Sequence, residues 1–71
     1  MTAPTVPVTV NGEAAEVEEG RTLADLLAGL GVDRGRVVVE HNRRVLRGPD
    51  LDGVALAAGD EIEVVQLVGG G

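Results

Sequence analysis

Leu23, Leu26, Leu27 and Leu30 stand at i, i+3, i+4 and i+7 and form one apolar stripe of a short helix. No other feature limits the fold as strongly, because such a stripe must be covered by another layer. Each fully buried leucine is worth roughly 1.5–3 kcal/mol, which makes the stripe the largest single block of core. Thr22, with Asp25 three residues on, has the form of a capping box in which Asp replaces the usual Glu. Gly31 is placed as a left-handed C-terminal cap. Gly29, inside the helix, costs stability and marks either close packing or early fraying.

The surrounding segments carry the period of strands. Val6, Val8 and Val10 alternate with Pro7 and Thr9, and Asn11-Gly12 follows, the strongest short hairpin signal because both turn positions need positive φ. The return strand, Glu13–Glu18, places Ala15 and Val17 on one face and Ala14, Glu16 and Glu18 on the other, a charge pattern suited to a sheet edge. Asp33-Arg34-Gly35 is a turn, and residues 36–40 (RVVVE) form a β-branched strand. His41-Asn42-Arg43-Arg44 turns into the short piece Val45-Leu46 before Arg47-Gly48-Pro49 breaks it. Asp50-Leu51-Asp52-Gly53 begins like a calcium loop but fails as one, since Val54 and Ala55 stand where an oxygen ligand and the loop glycine belong. It is read as a surface turn with Leu51, Val54 and Leu56 tucked beneath. After a turn at Ala58-Gly59-Asp60, residues 61–67 form the last strand, with Ile62 and Val64 alternating with Glu61 and Glu63.

These elements predict an α+β fold in which one helix packs across one face of a mixed four- to five-stranded sheet, the first and last strands adjacent at its centre. Residues 1–71 are expected to form one domain, with a loose leader at 1–5 and a flexible tail at 68–71. At 71 residues without cysteine, neither disulfides nor a four-ligand zinc site on the lone histidine can staple it. With no Phe, Tyr or Trp, the 44% apolar content is aliphatic, and so is the core.

The absences also restrict function. No Ser, Cys, Tyr or Lys is present, which removes most covalent nucleophiles and argues against a self-contained enzyme. The missing serine argues against an acyl carrier protein, whose pantetheine arm is attached to a serine, and the missing cysteine means that any sulfur carried cannot ride on a side chain. A net charge of -6 and the lack of aromatic stacking platforms disfavour nucleic acid. They suit steering toward a basic patch on another protein. No stretch is apolar enough to span a bilayer, and the first seven residues lack the regions of a signal peptide, so a cytoplasmic protein, monomeric alone, is expected. The tail Val68-Gly69-Gly70-Gly71 reads either as a frayed end or as a reach that threads a narrow groove and presents its carboxylate to chemistry inside a partner. Val65, Leu67 and Val68, beside Asp60, Glu61 and Glu63, read either as ordinary core or as a docking patch. Arg43, Arg44 and Arg47 read as a solvated turn or as a complement to an acidic spot, and His41 as structural or solvent-facing.

Strand, Asn11-Gly12 and strand, the helix beginning Thr22-Leu23-Ala24-Asp25-Leu26-Leu27, the strand Val37-Val38-Val39-Glu40 with Asn42 after it, the segment at residues 56–63 (LAAGDEIE) and the terminal Gly-Gly together resemble the ThiS family, the sulfur carriers of thiamine biosynthesis. The resemblance spans nearly the whole chain from Val6 and implies a ubiquitin-like β-grasp fold. The chain departs from the family where Arg43-Arg44 replace the Gly-Glu common after the asparagine, and where Arg47-Gly48 replace a Pro-Arg pair. The resemblance implies that Gly71 is the adenylation and thiocarboxylate site, that Gly69 and Gly70 thread the partner's channel, and that the chain is a co-substrate rather than an enzyme. It implies no bound cofactor or metal, an E1-like adenylating partner of the ThiF type that uses ATP and Mg, and a thiazole synthase of the ThiG type as acceptor. Carriers for molybdopterin synthesis or tRNA thiolation, and ubiquitin-like protein modifiers, share the same body and ending.

Overall fold

The structure, a computed structural model, describes residues 3–67. Five strands, β1 (Thr5–Val10), β2 (Glu13–Glu18), β3 (Val37–His41), β4 (Arg44–Leu46) and β5 (Glu61–Gln66), form one sheet in the order β2-β1-β5-β3-β4. One helix, α1 (Leu23–Leu30), covers a single face. The mixed sheet with one helix is the expected architecture, with β5 central, parallel to β1 and antiparallel to β3. β1 begins at Thr5, within the segment expected to be a leader, and Glu19 donates its N–H to the Pro4 carbonyl at 2.9 Å.

Local chemistry fixes the elements. Asn11 (φ 51°) and Gly12 (φ 82°) close the β1–β2 hairpin with both turn residues left-handed. Thr22 caps α1 by accepting the Asp25 N–H, while the Asp25 carboxylate accepts the Thr22 N–H at 3.0 Å, so the capping box is complete. The bond from the Thr22 N–H, aided by the neighbouring Thr22 hydroxyl, holds the Asp25 carboxyl below its ordinary pKa. Gly31, at φ 74°, ends the helix as expected. Asp33 accepts the Gly35 N–H and opens a single 3₁₀ turn, Arg34–Arg36, where a plain turn was expected. A second, Gly48–Asp52, carries Leu51 into the core. Arg34 clamps the two turns together with 3.0 Å hydrogen bonds to both oxygens of Asp52 and a 2.8 Å bond to the Gly48 carbonyl.

The core is Val8, Leu23, Leu27, Val37, Val39, Leu51, Leu56 and Ile62, all aliphatic. The leucine stripe is only half buried, which corrects the sequence expectation: Leu23 and Leu27 are sealed, Leu26 is partly covered, and Leu30 is 49% exposed. The reason is steric. Leu26 and Leu30 lean toward β2, whose inward side chains Ala15 and Val17 are too short to close over them, and an open cleft remains. Open space surrounds the position of a Cβ on Gly29, so close packing does not explain that glycine.

Candidate functional site

The proposed working end, Val68, Gly69, Gly70 and Gly71, lies outside the described residues, so the structure bears on what precedes it. β5 is held on both sides, by β1 at its start and by β3 along its length, with Val37 opposite Gln66 and Val39 opposite Val64. Leu67 donates its N–H to the Arg36 carbonyl at 2.8 Å. The chain is therefore fixed to the sheet up to Leu67, four residues before its end.

Because α1 covers one face, alternation along β5 sends Ile62 and Val64 inward and Glu61, Glu63, Val65 and Leu67 to the open face. Val65 is 53% and Leu67 55% exposed, so these two are not core. The register adds residues that the sequence did not single out. Val38 lies opposite Val65, Glu40 opposite Glu63, and Val45 opposite Glu40. The open face thus carries an apolar row, Val38 and Val65, next to an acidic row, Glu40 and Glu63, with half-exposed Val45 beyond. Three consecutive valines leave the inward set ambiguous in the sequence, and only the pairing with β5 resolves it.

Asp60 does not belong to that patch, which corrects its assignment as a docking residue. It is 8% exposed and its carboxylate is spent within the fold. Oδ2 accepts from His41 Nε2 at 2.8 Å and from the Ala57 N–H at 2.9 Å, and Oδ1 accepts from Asn42 Nδ2 at 3.1 Å. An ionised carboxylate can only accept, so the bonding proton in the first of these sits on Nε2. Burial pushes the Asp60 carboxyl up, but the bonds from His41, Ala57 and Asn42 together with the imidazole charge outweigh it and hold the pKa below the ordinary value. Asn42 also accepts the Glu61 N–H at 2.9 Å, while its own N–H donates to the Glu61 carbonyl. His41 is thus structural, one of the two readings it carried, and this knot pins the β3–β4 turn to the start of β5. Arg43, Arg44 and Arg47 are exposed around that turn. Among the described residues, no group of three or more His, Asp or Glu side chains is placed to hold a metal, and no helix is long and apolar enough to cross a membrane.

The sequence profile of the ThiS family matches residues 8–71, nearly the whole chain and the glycine tail with it. The chain belongs to the ThiS family. The crystal structure of the thiamine biosynthesis protein ThiS from Geobacter metallireducens is similar with a TM-score of 0.78 and 33% identity, covering 93% of this chain and 100% of that one. A solution NMR structure of a thiamine biosynthesis protein from the same organism gives a TM-score of 0.76 at 33% identity, covering 93% and 88%. The β-grasp architecture is therefore that of ThiS. Two curated relatives are named thiazole synthase. The one from Magnetococcus marinus is 42% identical over 64 residues, and the one from Paramagnetospirillum magneticum 36% identical over 64 residues. Each alignment covers 90% of this ThiS-family chain and 20% of the relative, so the chain spans about a fifth of their length.

Proposed function

We propose that this chain carries sulfur on its own last carboxyl group for thiazole formation in thiamine biosynthesis. The family match running through Gly71 carries the reading, because it places the glycine tail inside the family pattern. The reaction is one that the body has no need to catalyse. A carboxylate is a poor acyl donor, so an E1-like partner of the ThiF type, using ATP and Mg, joins the Gly71 carboxylate to AMP and releases pyrophosphate. Hydrosulfide supplied by a partner then attacks the carbonyl carbon, the C–O bond to AMP breaks, AMP departs, and loss of the S–H proton leaves the thiocarboxylate. A ThiG-type thiazole synthase takes that sulfur, and the name borne by both curated relatives favours this acceptor over molybdopterin synthesis or tRNA thiolation.

Glycine at Gly69 and Gly70 lets the tail enter a channel that any Cβ would obstruct. Glu61, Glu63, Val65 and Leu67, continued by Val68, serve as the docking patch for the activating enzyme, with the exposed side chains of the open face meeting it. ATP–pyrophosphate exchange with the cognate activating enzyme tests both parts. Gly70→Val is expected to keep the fold and abolish exchange, and Leu67→Asp to keep the fold and weaken binding. Normal exchange by Gly70→Val contradicts the tail chemistry, and normal binding by Leu67→Asp contradicts the patch.

A further inference from the structure

The cleft between α1 and β2 has no part in the carrier chemistry. It has a volume of about 750 Å³, with Leu26 and Leu30 on one side, Ala15 and Val17 on the other and Leu56 between. Beside it β2 forms one edge of the sheet. The two-residue turn makes Val10 and Glu13 the closing hydrogen-bonded pair, so such pairs recur at Val8 with Ala15 and at Val6 with Val17. The bond from the Glu19 N–H to Pro4 continues the same phase. Ala14 and Glu16 consequently direct their N–H and C=O groups away from β1. The flank is acidic: Glu13, Glu16, Glu18 and Asp25 stand against a single cation, Arg21, which is already paired with Glu18 at 3.2 Å.

We propose that this edge and cleft form a docking site for an extended basic segment of a partner protein, added as a sixth strand beside β2. Its backbone pairs with Ala14 and Glu16. Every second side chain, apolar, drops between α1 and β2, and the alternate arginine or lysine side chains lie on the open face beside Glu16 and Glu18. Charge selects this occupant. Two copies of the chain joined through β2 would bring their Glu16 and Glu18 carboxylates together, and a small apolar ligand in the cleft would leave the backbone row unpaired.

The test is an NMR titration of the isotopically labelled full chain with a six-residue peptide alternating arginine and valine, against a control alternating glutamate and valine. Saturable shifts are expected at the amides of residues 14–18 and the methyls of Leu26 and Leu30, with the basic peptide alone. Ala14→Pro, which removes an outward N–H and leaves the ladder to β1 intact, and Leu30→Arg are each expected to weaken binding about ten-fold or more. Unchanged dispersion of the remaining amides separates that loss from unfolding. Shifts scattered over Glu40, Glu61 and Glu63, binding indifferent to both variants, no saturable shift, or self-association through β2 would each overturn the proposal. Removing Gly71 is expected to leave peptide binding unchanged, so this site and the carrier reading stand or fall separately.

Discussion

Asp60 gathers three donors at the start of β5, and its depressed pKa ties that knot to pH. A carboxyl group with a lower pKa folded than unfolded contributes stability that is complete above its unfolded value, about 3.9, and lost as pH falls through the lower folded one. Asp60→Asn is therefore expected to cost about 1–3 kcal/mol near neutral pH and to flatten the acid limb of stability, as read from urea midpoints across pH. An acid limb identical to that of the parent chain would show that other groups carry it. Arg43 holds φ 71°, a left-handed conformation that a side chain other than Asn or Asp disfavours. Arg43→Gly is expected to raise stability by about 0.5–1 kcal/mol, the relief of strain exceeding the added freedom of the unfolded chain. A lower midpoint would mean that the arginine makes compensating contacts. The knot is not legible in the sequence, because two of the three partners of Asp60 lie 18 and 19 residues away; the strain at Arg43 leaves one trace there, the glycine that the family commonly has at its place.

The element scale was the more readable one, because its signals are local. Asn11-Gly12, the Thr22–Asp25 capping box and Gly31 each act within one turn, and each takes the backbone conformation that its side chains favour. Thr22→Ala is expected to cost about 1 kcal/mol through loss of the cap, which chemical denaturation measures. The leucine stripe shows where the local signal ends. Helical spacing puts four leucines on one face, but the short side chains of β2 decide how many are sealed. Leu27→Ala is expected to cost about 2–5 kcal/mol, whereas Leu30→Ala, on a half-exposed residue, is expected to cost under about 1 kcal/mol. Equal losses at the two positions would contradict the open cleft. Both 3₁₀ segments read as turns in the sequence, but neither their 3₁₀ form nor the clamp by which Arg34 reaches Asp52 and Gly48 across the fold is visible there.

At the scale of the molecule, the sheet gives the body an asymmetry. One face is closed by α1 and the other presents Val38, Val65, Glu40 and Glu63, while the central strand β5 leads out to the glycines. The overall order of elements could be read from alternation and turns, and the family resemblance followed from it. The composition of the open face could not, since a run of valines fits either register until its neighbours are known. The central claim is that the reactive group is the end carboxyl at Gly71 and that the body holds and presents it. Intact-mass analysis of the full chain purified from its native host tests this most directly. The account predicts a fraction in which one sulfur replaces one oxygen, localised to Gly71 by fragmentation and absent from Gly70→Val. A protein that supports thiazole formation while its terminal carboxyl is blocked, with no sulfur at Gly71, would contradict it.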